Sequence, residues 1–216
     1  MNISAIIELR IGATGEEGMK AVGIDLAGVA THPTGLCLMD SGLHVSTCLL
    51  YTDADIVGQA IEAKPDVVAI DAPLALPRGR ESLSKRSDVH LRECDKELLR
   101  MGIKFFPLTL GPMRQLTGRG ILLRAALEKK GLTVIETYPG AAQDILHIPR
   151  KGRGLSKLAE GLSLAGVKGL DSTMSGDELD AITRALVGIM YLRGIYRAIG
   201  DPDEMLMILP RQMMWS

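Results

Sequence analysis

Apolar and polar positions along the chain separate into short strand-like runs and longer helical periodicities. Lys20–Asp25 reads as a first strand, an apolar run that ends in a carboxylate. Thr34–Met39 and Val45–Tyr51 follow as apolar runs joined by the turn Asp40-Ser-Gly42, so the three are expected as an antiparallel meander. Asp53 is a suitable N-cap for a helix with Ile56, Val57, Ala60 and Ile61 on one face, ending near Lys64-Pro65. Val67–Ile70 is apolar throughout, the pattern of a strand covered on both faces, and it ends in Asp71.

The middle of the chain is less regular. Residues 72–87 read as a polar, basic loop, Asp88–Met101 has helical periodicity, and the glycines and prolines of 102–120 predict irregular structure. Ile121–Lys130 is expected as a helix stopped by Gly131, and Leu132–Ile135 as a strand delivering Glu136. A basic loop at 149–154 precedes a short helix over Leu155–Leu164. Ser175-Gly-Asp-Glu178 is a capping box, and the apolar period Leu179, Ile182, Leu186, Ile189, Met190 continues it as the last long helix. Met205–Leu209 reads as a closing strand. The right-handed crossover rule makes the Asp71 strand parallel to the first strand where the two are neighbours, which brings Asp25 and Asp71 out at one sheet end.

Composition narrows the function classes. With 216 residues, 46% of them hydrophobic, the chain has enough apolar surface for a sizeable core, and its apolar runs are too short and too charged to span a bilayer. Glu8 and Arg10 interrupt the only apolar run near the start, so a signal peptide is not expected there. Residues 1–18 read as an extension or an added edge strand at Ala5–Ile11, with Met19 a second candidate start. Residues 19–216 read as one domain with a basic insertion around 72–131. Cys37, Cys48 and Cys94 match no metal knuckle and suit buried thiols in a reducing cytoplasm. His32, His44, His90 and His147 have no metal-ligand spacing, and no GxGxxG dinucleotide signature occurs.

Net charge is −1 overall but is unevenly distributed. Residues 78–157 carry 17 Lys and Arg against 8 Asp and Glu, or +9, leaving −10 for the rest. A basic surface around an acidic centre suits a polyanionic substrate meeting a metal, although solvated helices alone produce the same numbers. The centre would be Asp25, Asp71, Asp177 and Asp180, since hard divalent ions such as Mg²⁺ or Mn²⁺ take oxygen ligands. Asp177 and Asp180 are three residues apart and share a helix face, whereas capping accounts for Glu178 and offers a second account of Asp177. Glu136, beside Tyr138, suits either a metal or an arginine. Arg78, Arg80, Lys85, Arg86, Arg92, Arg119 and Lys151 are the candidates for holding substrate phosphates.

Several motifs follow one another along the chain: Val22-Gly-Ile-Asp25-Leu-Ala-Gly28, Pro33-Thr-Gly35, Val67-Val-Ala-Ile-Asp71-Ala-Pro-Leu74, Arg92-Glu-Cys-Asp-Lys-Glu-Leu98, Leu116-Thr-Gly-Arg-Gly120, Glu136-Thr-Tyr-Pro139 and Asp177-Glu-Leu-Asp-Ala181. This set resembles a prokaryotic domain-of-unknown-function family described as predicted nucleases of the RNase H-like fold. The likeness runs from about residue 20 to 210. It implies an α/β fold: a ribonuclease H-like mixed sheet, a three-stranded antiparallel meander plus parallel strands, flanked by helices. It also implies a hydrolase acting on DNA or RNA by a two-metal carboxylate mechanism. By similarity to the Holliday-junction resolvases of that superfamily, Asp25 matches the first-strand acid, and Asp177 and Asp180 match the acids of the last helix. The second acid there is often a glutamate on the fourth strand, whereas this chain offers Asp71 and then Glu136.

Two other readings stand beside the nuclease. One is a nucleotide-binding phosphotransferase of the actin-like ATPase superfamily, which would need a homodimer to supply the second domain that clamps a nucleotide. The other is a non-catalytic nucleic-acid-binding module.

Overall fold

The computed structural model describes residues 18–211. The expected edge strand at Ala5–Ile11 lies outside these residues. Among the described residues the strands are β1 (Lys20–Asp25), β2 (Thr34–Asp40), β3 (Val45–Leu50), β4 (Val67–Ile70), β5 (Val134–Glu136), β6 (Tyr196–Ile199) and β7 (Met207–Pro210). They form one sheet in the order β3-β2-β1-β4-β5-β7-β6. β1, β2 and β3 are the antiparallel meander, β4 and β5 add in parallel, and β6 is antiparallel to β7 at the far edge.

Helices cover both faces. β4 points Val67 and Ala69 to one side and Val68 and Ile70 to the other, and all four are buried, as its unbroken apolar run predicts. On the Val68 side lie α1 (Asp53–Ala63) and α3 (Gly111–Glu128), through Ile56, Ala60, Leu123 and Leu127. On the Val67 side lie α4 (Pro139–Ile145), α5 (Leu155–Leu164) and α6 (Gly176–Leu192). The remaining helix, α2 (Glu93–Arg100), packs Cys94 and Leu98 near β6 and β7.

α6 is the central helix, buried continuously from Leu179 to Met190. The Ser175–Glu178 capping box starts it: Ser175 Oγ accepts from the Glu178 N–H, and the Glu178 carboxylate accepts from the Ser175 N–H at 2.8 Å. Small residues beneath it set its depth. A Cβ on Gly23 of β1 would lie 2.2 Å from the Ala181 carbonyl oxygen, and one on Gly35 of β2 would lie 2.2 Å from that of Asp177. Glycine at these two strand positions lets the α6 backbone rest directly on the sheet, and this brings Asp177 and Asp180 down to the ends of β1 and β4.

Four local expectations change. Thr52, not Asp53, caps α1, its hydroxyl accepting from the Asp55 N–H. α2 begins at Glu93 rather than Asp88, because the preceding loop is wrapped around Arg80, which donates to the carbonyls of Val89 and Lys85 at 2.9 and 3.1 Å. α3 begins at Gly111, ten residues before the expected start. Pro112 fits its first turn, and Gly120 is a contact point where a Cβ would meet that of Ala72 at 2.7 Å. β6 was not anticipated, and the closing strand starts at Met207 instead of Met205. No helix among the described residues is long and apolar enough to cross a membrane.

Candidate functional site

β1 and β4 run in parallel register with Ile24 opposite Ile70, so the next residues, Asp25 and Asp71, emerge side by side. The Asp71 N–H also donates to the Ile24 carbonyl at 3.1 Å, extending the ladder to the site itself. α6 supplies three charged side chains to the same place: Asp177, Asp180 and Arg184, at helical spacings of three and four that align them on one face.

Arg184 is the centre of this arrangement. Its side chain is 1% exposed, and one nitrogen, Nη2, donates to Asp25 Oδ1 at 2.7 Å and also to Asp71 Oδ2. Its Nε and Nη1 are buried without a partner. A second cation sits on the opposite side of Asp25. Lys151, in the 3₁₀ turn Lys151–Arg153 before α5, directs Nζ to Asp180 Oδ2 at 2.8 Å, Asp177 Oδ1 at 3.7 Å and Asp25 Oδ2 at 3.9 Å. Gln143 of α4 fixes the other oxygen of Asp180, donating from Nε2 to Oδ1 at 2.9 Å and to Thr183 Oγ1 at 3.1 Å.

Four carboxylates against two cations leave the cluster net negative. Burial pushes the Asp25 carboxyl up to about 6; Arg184 works against that rise, while the nearby charge of Asp71 adds to it. Asp71 is likewise raised by burial against the pull of Arg184. Burial disfavours the Lys151 ammonium, yet the hydrogen bond to Asp180 and the surrounding carboxylates raise it. Among the described residues, no three His, Cys, Asp or Glu side chains converge as a preformed metal cage. The donor chemistry nevertheless suits a hard divalent ion, because Asp25, Asp177 and Asp180 each turn a carboxylate oxygen to the point where the Lys151 ammonium sits.

Glu136, expected as either a metal ligand or an arginine partner, is the latter. Arg92 grips it with two parallel bonds of 2.6 and 2.7 Å, and the Leu74 N–H donates to it at 2.8 Å. Both side chains are 1% exposed, and Arg92 also bonds Asp95, so Arg92 has no donors to offer a phosphate. The other candidate phosphate ligands do not converge on the carboxylates. Arg80 is tied to loop carbonyls, and Arg119 binds Asp53 and the carbonyls of Ala27 and Tyr51. Arg78 pairs with Asp201 and Asp203, Lys85 pairs with Glu81, and Arg86 is exposed in the same loop. Of that set, only Lys151 lies at the acids. Sequence reasoning missed Arg184 and Gln143. The available signal for Arg184 was a lone charge inside the apolar stretch Ala181-Ile-Thr-Arg184-Ala-Leu.

Asp25, Asp71, Asp180, Arg184 and Lys151 line one side of a cavity of about 500 Å³. The opposite walls are apolar, with Phe105, Phe106, Leu108, Met113, Leu116 and Tyr138. The chain has only two phenylalanines, and both are here. Tyr138 is held by a 2.8 Å bond from its hydroxyl to the Lys104 carbonyl, and the Arg150 guanidinium lies 6.0 Å from its ring centre.

No family model and no curated protein matches the chain. Among solved structures, Thermus thermophilus RuvC in complex with a Holliday junction substrate is similar at a TM-score of 0.51 and 14% identity, covering 82% of this chain and 97% of that one. A further Thermus thermophilus RuvC structure has the same identity and coverage at a TM-score of 0.46. The fold is RNase H-like, a mixed sheet flanked by helices, as the motif resemblance implied.

Proposed function

We propose that this chain is a divalent-metal-dependent nuclease, hydrolysing phosphodiester bonds of DNA or RNA, with residues 19–216 as one RNase H-like domain. The observation that carries this reading is the meeting of Asp25, Asp71, Asp177 and Asp180, from two strand ends and the central helix, in a RuvC-like fold, with Asp25, Asp71 and Asp180 at the wall of an open cavity. Asp25, Asp177 and Asp180 would hold Mg²⁺ or Mn²⁺. When bound, such an ion polarises a phosphoryl oxygen and makes a water molecule more acidic. Asp71 and Arg184 act as positioning residues, since the shared Nη2 fixes the two strand-end carboxylates relative to each other. Gln143 holds Asp180 in its rotamer.

The cavity gives a reason for substrate form. Phe105, Phe106 and Tyr138 offer aromatic surface next to the acids. An unpaired base beside the scissile phosphate fits it, because base–aromatic stacking is tolerant of sequence and stabilises by about 1–3 kcal/mol per base. The RuvC neighbour is bound to a Holliday junction, so branched DNA joins single strands among the first substrates to try. Lys151 at the cavity and the exposed Arg86 further out are basic residues that a nucleic-acid backbone would meet, while Arg150 at the rim is paired with Asp144 and Lys85 with Glu81. The free thiols Cys37, Cys48 and Cys94 accord with a reducing cytoplasm.

A non-catalytic nucleic-acid-binding module is the second reading, favoured by one observation: each of the four aspartates already faces a cation of the chain itself. One experiment separates the two. Four-way junction, single-strand and duplex substrates are incubated with Mg²⁺ or Mn²⁺ and either wild type or Asp180→Asn. The nuclease reading expects metal-dependent cleavage by wild type that is lost in the variant. Retained binding without cleavage of any substrate would favour the module.

A further inference from the structure

On the reading of these carboxylates as a metal centre, the number of ions they take is set by the two cations already among them. Asp25 is arranged like a bridging carboxylate: Oδ1 binds the Arg184 guanidinium and Oδ2 faces the Lys151 ammonium. In a two-ion site, a shared carboxylate spans metals about 3.5–4 Å apart. Here both places hold nitrogen cations, and the two are held very differently.

Arg184 is fixed. It projects from the most buried helix of the fold, its side chain is 1% exposed, and its Nε and Nη1 already lack partners. A metal ion bridging Asp25 and Asp71 would have to lie against its positive charge. Lys151 is not fixed. Its side chain is 50% exposed on a short turn, and a single 2.8 Å bond to Asp180 anchors it. A flexible four-carbon stem lets an ammonium swing into solvent at little cost.

We propose that the cluster is a one-ion centre. Arg184 is a permanent second cation occupying the place between Asp25 and Asp71. Lys151 is a displaceable occupant of the seat formed by Asp25, Asp177 and Asp180, which takes a single Mg²⁺ or Mn²⁺. Sequence reasoning expected two ions; the guanidinium removes the space and the free oxygens that a second would need. The charge balance agrees. Four carboxylates and Arg184 carry −3 once Lys151 has left, and one divalent ion brings this to −1, so no large negative excess remains to draw in another.

The test is a Mn²⁺ titration of the full chain without nucleic acid, followed by calorimetry for stoichiometry and by electron paramagnetic resonance for spin coupling between ions. Wild type, Lys151→Met and Arg184→Met are compared. The expected results are one uncoupled Mn²⁺ in wild type and one in Lys151→Met with affinity about tenfold tighter, since a competing cation has been removed. Arg184→Met should admit a second, coupled ion. If that variant does not fold, the wild-type stoichiometry and the Lys151→Met affinity carry the test. Two coupled ions in wild type, or Lys151→Met binding no tighter than wild type, would overturn the one-ion centre while the nuclease reading stands. Absence of Mn²⁺ binding in both wild type and Lys151→Met would remove the metal centre and the nuclease reading together.

Discussion

Replacing Asp25 with Asn should stabilise the metal-free protein, and the gain should depend on pH. The Asp25 carboxyl titrates near 3.8 in an unfolded chain and is pushed up to about 6 in the fold, mainly by burial, with Arg184 only partly compensating. Between those two values the folded protein holds a proton that the unfolded chain has released. Stability therefore falls as pH rises from about 4 to about 6, and above that range the full cost of an ionised, buried Asp25 is present. The interval from 3.8 to about 6 corresponds to about 3 kcal/mol, at 1.36 kcal/mol for each pH unit. Asn has the shape of the protonated acid and never ionises. Asp25→Asn should accordingly exceed wild type by up to about 3 kcal/mol near pH 8 and match it near pH 4. For a chain of this size, that is a rise in Tm of about 6–12 °C. Urea denaturation in the presence of a chelator, run across this pH range, measures it. A variant less stable than wild type near pH 8 would mean that attraction to Arg184 outweighs burial. A gain that did not change with pH would mean that ionisation is not its source. Either result refutes the electrostatic account of the cluster.

Two further substitutions separate structural from functional roles. Glu136→Gln leaves the buried Arg92 with Asp95 alone as its carboxylate partner and should cost about 1–3 kcal/mol in denaturant unfolding, while the Mn²⁺ affinity of the folded protein stays at the wild-type value. A large loss of affinity at intact stability would restore Glu136 to the metal site. Gly23→Ala places a methyl 2.2 Å from the Ala181 carbonyl oxygen and should lift α6 from the sheet, destabilising by more than the about 1–3 kcal/mol of ordinary overpacking. It should also weaken Mn²⁺ binding, because Asp177 and Asp180 move with α6; wild-type stability in the variant would show that α6 does not sit on β1 as described.

The contrast between what was and was not legible in the sequence has a physical origin. Asp25 and Asp71 stood out because each ends an apolar run, and a strand that buries its whole length must deliver its next residue at the sheet edge. The capping box at Ser175–Glu178 marked the start of α6 through local hydrogen bonds alone. Local chemistry of this kind is written within a few residues; the meander follows from its short turn, and the parallel placement of β4 from the handedness of its crossover. Arg184 and Arg92 were not legible in the same way. Each has its carboxylate partners far off along the chain, Asp25 and Asp71 by 159 and 113 residues and Glu136 by 44, so no window of sequence contains the pair. Arg92 lies in the charged run Arg92-Glu-Cys-Asp and looks solvated, although it is among the most buried side chains of the fold. Pro112, Gly118 and Gly120 looked like breakers of a helix that in fact runs through them: Pro112 sits in its first turn, and Gly120 allows close approach to residues 72–74. A buried acid must find a cation or lose its charge, and a lone arginine within an apolar helix must find an acid. Taken together those two requirements say that Arg184 must meet an acid, once α6 is recognised as buried on nearly every side, but which acid it meets is set by the fold. The site was half legible because the acids were sought as ligands for a metal, while the countercharge supplied by the chain itself was not sought at all.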